Sequence, residues 1–175
     1  MRRATMTWLG TMAAILTMPA IAALPVGRKA PDFTTMGALN GVPFKLHLAD
    51  ELKKGPVVLY FYPKAFTSGC TLEAHAFSEA QAEFAKAGAQ VIGVSADRLA
   101  LLLRFSVEHC RGKFAVATAT PAMIKAYDVR LPLVAMSNRT SYVIARDGRV
   151  AMVYSDLDYK DHVARTLAAV RLLKR

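Results

Sequence analysis

Cysteine is nearly missing from this chain, with two among 175 residues, too few for a disulfide scaffold or a four-ligand zinc site. Tryptophan occurs once, at Trp8, and the 13 acidic residues are outnumbered by 23 lysines and arginines, for a net charge of +10. No apolar run after the first two dozen residues is long enough for a membrane-spanning helix, so the body of the chain carries no such segment. The basic residues are scattered, apart from Lys53-Lys54 and the terminal Lys174-Arg175. Without a basic stripe or interleaved aromatics, the charge does not point to a nucleic-acid partner. Apolar residues are what the sequence has in quantity, 54% against 21% charged. That excludes a disordered polar tail and suffices for one domain with its own core.

Residues 1–22 read as an address. Arg2 and Arg3 give a positive start, an apolar run follows from about Met6, and Ala20-Ile21-Ala22 supplies a small-x-small cleavage pattern. Pro19 breaks the helix just ahead of it. The alternative is an uncleaved membrane anchor, but an anchor lacks this proline and alanine cluster. The expectation is a signal peptide over 1–22, cleaved after Ala22, and a single domain over 23–175. That domain would be periplasmic or secreted, without stable membrane insertion. The leader takes with it Trp8 and half of the eight methionines, Met1, Met6, Met12 and Met18. An exported protein meets an oxidising compartment, where two thiols can be held as a disulfide.

Val57 to Tyr62 (VVLYFY) lacks polar alternation and reads as a strand buried on both faces, ended by Pro63. A helical pattern runs from about Thr71 to Ala87, closed by Gly88. QVIGVS, 90–95, is a second buried strand, followed by a helix opened by Asp97 and running to about Cys110. A short strand is expected near Phe114 to Ala117 and a short helix near Pro121 to Tyr127. Strands at 140–145 and 149–154 flank Asp147-Gly148, a hairpin signal. An amphipathic helix from about Lys160 to Leu173 closes the chain. The sum is an α/β, thioredoxin-like sandwich, a central mixed sheet flanked by helices.

Cys70 falls just after a buried strand, in the first turn of a helix. Backbone N–H groups there lack intrahelical partners and the helix dipole is positive, a setting that favours a thiolate. A buried, inert cysteine is the alternative. It fits poorly, because Thr67, Ser68 and Gly69 surround the sulfur with small polar groups.

The run Pro63 to Cys70 spells P-x-x-x-T-x-x-C, and with it the sequence resembles the peroxiredoxins, thiol peroxidases on the thioredoxin fold. FYPKAFTSGCTLEA is most similar to the PrxQ branch, also called bacterioferritin-comigratory proteins. The likeness starts at Gly27-Arg28-Lys29-Ala30-Pro31-Asp32-Phe33 and continues through VIGVSAD and Asn138-Arg139-Thr140-Ser141-Tyr142. It implies that Cys70 attacks the peroxide O–O bond and becomes a sulfenic acid. Thr67 would hydrogen-bond sulfur and peroxide, Pro63 would shield the pocket, and Arg139 would hold the thiolate and polarise the peroxide. The chemistry suits those roles, since charge developing on the leaving oxygen calls for donors already aimed there. The implied substrates are hydrogen peroxide and small organic hydroperoxides. The reductant would be an external thiol, thioredoxin-like or another dithiol protein. No metal, haem or flavin is implied, and the protein would be a monomer or homodimer. At about 100° per residue, Glu73 shares the core-facing side of its helix with Ala76, Phe77, Ala80 and Phe84. It either pairs with Arg139 or simply favours the positive helix start.

Many PrxQ proteins carry a resolving cysteine five residues after the first; here that position is His75, expected opposite the core as a solvated partner of Glu79. His47, His109 and His162 show no metal-ligand spacing. Cys110, expected on the side of Leu99, Leu103 and Val107, has three readings: it resolves the sulfenic acid, it is a buried spectator, or it forms a static disulfide with Cys70. Leu101 is expected on the polar side of the same helix, with Phe105 near the border. Two rival functions remain. One is a thiol–disulfide oxidoreductase of the same fold, against which Thr67 stands where C-x-x-C needs a cysteine. The other is a non-catalytic binding module with a structural disulfide.

Overall fold

The computed structural model describes residues 23–173; the expected leader, 1–22, lies outside them. In chain order the elements are β1 (Thr34–Leu39), β2 (Val42–His47), α1 (Leu48–Lys54), β3 (Val57–Phe61), α2 (Ser68–Glu79), α3 (Gln81–Lys86) and β4 (Gln90–Ser95). There follow α4 (Leu99–Glu108), β5 (Ala115–Thr118), α5 (Pro121–Ala126), β6 (Thr140–Ile144), β7 (Val150–Ser155) and α6 (His162–Leu173). The strands form one seven-stranded sheet in the order β2-β1-β5-β4-β3-β6-β7. β3, β4 and β5 run parallel, and the remaining pairings are antiparallel. This is the mixed sheet of a thioredoxin-like fold, with helices on both faces.

β3 shows why the sheet needs cover on both sides. Its five residues are all buried, and successive side chains point to opposite faces. Val58 and Tyr60, with Tyr62 just beyond, enter one core layer together with Phe77 of α2, Phe84 of α3, Phe105 of α4 and Val170 of α6. Val57, Leu59 and Phe61 enter the other, with Leu48 and Leu52 of α1 and Met123 and Ile124 of α5. Tyr60 stacks on Phe77 at 4.4 Å between centroids. A Cβ at Gly93 of the neighbouring β4 would stand 2.7 Å from the Tyr60 ring, so this strand position must stay bare.

Several elements depart from the sequence expectation. The hairpin β1–β2 and helix α1 have no counterpart among the expected elements. Asn40 and Gly41 make the turn at φ of 49° and 76°, the positive-φ pair that Asn-Gly supplies in tight hairpins. The single helix expected over 71–87 is two, α2 and α3, meeting at Ala80, whose backbone (φ −81°, ψ −2°) leaves helical geometry. Asp97 does not open α4. Arg98 takes the cap position, and the Asp97 carboxylate serves the loop before Cys70. Phe105 is wholly buried, not at a border, and Val107 is 47% exposed. The side of α4 that meets the sheet carries Leu102, Phe105 and Ser106, because Phe105 stacks on Tyr62 at 5.7 Å. Leu101 packs half-buried against the core instead of facing solvent.

Candidate active site

α2 begins directly under the carboxyl end of β3, where Pro63 breaks the sheet and a six-residue loop reaches Ser68. Thr67 is its cap residue, contributing no side-chain cap, and no acidic residue lies in the first turn. No carboxylate in the first turn therefore offsets the helix's positive end, and Cys70 stands in that turn. The loop is held from two sides. The Asp97 carboxylate accepts the Ala65 N–H at 2.7 Å and the Ser95 hydroxyl at 2.9 Å. Phe66 adopts φ of 65°, a conformation bulky side chains rarely take. Its ring is packed edge-on against Phe105 at 5.3 Å and His109 at 5.1 Å, with the Arg104 guanidinium over it. Neither Asp97 nor Phe66 figured among the expected site residues. Positive φ at a phenylalanine has no sequence signature.

Cys70, Glu73 and Arg139 meet beneath this loop, all three buried. Arg139 precedes β6 and reaches across to α2. Its Nη2 donates to Cys70 Sγ at 3.5 Å, its Nη1 to Glu73 Oε2, and its Nε to the Leu157 carbonyl at 2.9 Å. A Cβ at Gly69 would lie 3.3 Å from Nη2, so the bare glycine lets the guanidinium approach the sulfur. Thr67 is exposed at the rim, and its hydroxyl donates to the Lys64 carbonyl at 2.9 Å rather than to the sulfur. With its one proton committed, the hydroxyl offers an incoming molecule a lone pair. Pro63 is half-buried beside it.

Burial pushes the Glu73 carboxyl up to about 8, against the pull of Arg139 towards the ionised form. The ordinary value is 4.5, so between these values the folded chain keeps a proton that the unfolded chain has lost. Stability conferred by the acid form is full at low pH and falls as pH climbs through that window. Glu73→Gln lacks this slope. From pH 5 to 8 its stability relative to the parent should rise by a few kcal/mol, about 1.4 for each unit of pKa difference. Urea midpoints at several pH values test this; parallel pH profiles would refute it.

Cys110 lies two residues beyond the end of α4, fully buried in the same core layer as Cys70. Both cysteines are free, and burial pushes the Cys110 thiol up. Arg111 and Gly112 follow it at φ of 53° and 65°, so it sits in a tight turn and not in a helix. His75 is not a partner of Glu79. Its Nε2 lies 3.2 Å from His109 Nδ1, because the end of α4 crosses this side of α2, while Glu79 faces Arg111 at 3.9 Å. His47 bonds Asp32 and Asp50. Among the described residues, no group of three or more His, Cys, Asp or Glu side chains could hold a metal ion, and no helix is long and apolar enough to cross a membrane.

The chain is also similar to known proteins. A family model described as "AhpC/TSA family" matches residues 26–153. Peroxiredoxin Bcp of Bacillus subtilis (strain 168) is 30% identical over 154 residues, covering 85% of this chain and 96% of that protein. Chloroplastic peroxiredoxin Q of Arabidopsis thaliana is 36% identical over 143 residues, 81% of this chain and 64% of the relative. Among solved structures, peroxidoxin BcpB from Mycobacterium tuberculosis superposes with a TM-score of 0.73 at 31% identity, covering 85% of this chain and 97% of that one.

Proposed function

The chain belongs to the AhpC/TSA family of peroxiredoxins, and from that premise we propose that it reduces hydrogen peroxide and small organic hydroperoxides with Cys70 as nucleophile. The observation that carries this reading is the Arg139 fork, one amino group on the Cys70 sulfur and the other on buried Glu73. A donor fixed in this way sits where negative charge moves from sulfur to oxygen, and needs no reorganisation as the reaction proceeds. The thiolate attacks one peroxide oxygen and an S–O bond forms as the O–O bond breaks. The departing oxygen takes a proton and leaves as water or an alcohol, and Cys70 is oxidised to the sulfenic acid. The Thr67 oxygen accepts the peroxide O–H at the rim and aligns it, and Pro63 limits water at the sulfur.

Cys110 then condenses with the sulfenic acid, forming a Cys70–Cys110 disulfide and releasing water, and an external dithiol protein reduces that disulfide. Disulfide geometry is strict, and both sulfurs are buried among aromatic side chains, so this step requires local opening. The turn at Cys110–Lys113 is the economical place for it, since no helical turn has to unwind beyond Glu108. Peptide mass mapping of pre-reduced protein after one equivalent of peroxide tests the scheme. The expected product is a Cys70–Cys110 link. A sulfenic acid trapped on Cys70 with Cys110 still free would make this a one-cysteine enzyme, and an unchanged Cys70 would overturn the reading.

The leader supports export to the periplasm or beyond. N-terminal sequencing of the chain recovered from its host should start at Ala23.

A further inference from the structure

The turn that carries Cys110 is tied to α2 by a polar seam that the mechanism above does not use. His109, Arg111 and Lys113, alternate residues around Cys110, reach His75, Glu79 and the Ser78 carbonyl. Ser78 and Glu79 follow His75 by three and four positions, so all three share one side of α2. The links differ in kind. Arg111 and Glu79 stand 3.9 Å apart with both side chains exposed, a setting in which an ion pair contributes little. The Lys113 ammonium donates to the Ser78 carbonyl at 3.3 Å. His75 and His109 are half-buried, with His109 Nδ1 3.2 Å from His75 Nε2. The His109 ring packs on Phe66 and Phe105 at 5.1 and 5.3 Å. Neither facing nitrogen has a second partner among the described residues.

We propose that His75 and His109 are positioning residues that latch the Cys110 turn shut, so that the Cys110 sulfur is released only when the hydrogen bond between them breaks. A bond between two imidazoles needs one proton between the rings. It holds while either ring is neutral and fails once both are cations, when two N–H groups face each other. Burial, and then His75 beside it, keep His109 below its ordinary value of 6.5. The closed turn thus favours the neutral ring, so the latch has full force above the ordinary value and is lost as pH falls through the lowered one. The charged and titratable groups around the pair are Glu108 and Arg104 on α4, Arg111 and Lys113 in the turn, Glu79 on α2 and the neighbouring Cys110 thiol. Glu108 favours the His109 cation, but its carboxylate is engaged by Arg104 at 3.2 Å, and Glu79 faces Arg111. Among the described residues no carboxylate bonds either imidazole.

The consequence for catalysis rests on Cys110 as the resolving residue, but the latch itself is tested without peroxide, by amide hydrogen exchange in the resting full-length protein. The Cys110, Gly112 and Lys113 amides are hydrogen-bonded around the turn and report its opening. At about pH 7.5 they should exchange about tenfold faster in His75→Ala than in the parent, the scale of one net hydrogen bond. At about pH 5, with both rings of the parent cationic, the two should exchange alike. His75→Gln places an amide at the Nε2 level, which can bond His109 whether neutral or cationic. It should match the parent at about pH 7.5 and stay protected at about pH 5, where the parent has opened. The same proteins report the second step after one equivalent of peroxide. Cys70–Cys110 disulfide formation should be about tenfold faster in His75→Ala than in the parent at about pH 7.5, and equal at about pH 5. Exchange unmoved by His75→Ala, or a turn as open in His75→Gln as in His75→Ala, would overturn the proposal. So would a faster-exchanging turn with an unchanged rate of disulfide formation. A parent that consumes peroxide but forms no Cys70–Cys110 link, with the exchange pattern as stated, would defeat Cys110 as the resolving residue and support the latch.

Discussion

Replacing Cys70 by serine is expected to lower peroxide consumption at least about 10³-fold, the scale on which losing a nucleophile acts, with the fold intact. Serine keeps the size of the side chain and can accept the Arg139 Nη2 hydrogen bond, but its hydroxyl supplies no thiolate-like nucleophile at neutral pH. No other described residue can substitute. Thr67 offers a hydroxyl already bonded to Lys64, and Cys110 is fully buried, with its thiol held protonated by burial. Cys70 is 2% exposed, so the stability cost is that of placing a hydroxyl beside a cation that can bond it, about 1 kcal/mol. Peroxide consumption and far-ultraviolet circular dichroism, measured on the same sample, separate the two effects. Activity within tenfold of the parent would move the chemistry away from Cys70.

The parts of this site that were legible in the sequence are those set by short-range rules. Cys70 announces itself by following a buried strand into a helix start among small polar residues. Glu73 follows from it by helical stepping, which put a carboxyl on the core side and so demanded a partner. What could not be read depends on contacts between distant elements. His162 opens a surface-looking helix after Asp161, and only the crossing of α6 over β6 and β7 buries it behind Glu73. The sheet-facing side of α4 was misassigned to Leu99, Leu103 and Val107 because LALLLRF is apolar nearly all round, so more than one face fits the periodicity. There the stacking of Phe105 on Tyr62 makes the choice. The break at Ala80 was equally silent, since alanine is a good helix former. The β1–β2 hairpin differs from these, because Asn40-Gly41 was a signal available in the chain.

Arg139→Ala should slow the reaction with peroxide about 10²–10³-fold, the range for removing one preorganised donor from a site of developing charge. Arg139→Lys separates charge from geometry. Its ammonium restores a positive charge but is a point donor on a flexible stem, unable to hold Glu73 and the sulfur through two fixed amino groups. The lysine variant should therefore recover stability before it recovers rate. Stability also carries a sign. A buried carboxylate deprived of its cation costs about 3–5 kcal/mol, but Glu73 can avoid much of that by keeping its proton, since burial already pushes it up to about 8. Without Arg139 nothing pulls it back down, so the acid form persists to higher pH. The cost of Arg139→Ala should thus be modest near about pH 6 and grow as the parent's Glu73 ionises, while the rate deficit is present throughout. Denaturation midpoints and single-turnover peroxide rates across pH would distinguish the two. A rate that recovers wherever stability recovers would make Arg139 a structural ion-pair partner only; a rate that stays low in a stable variant places its function at the sulfur.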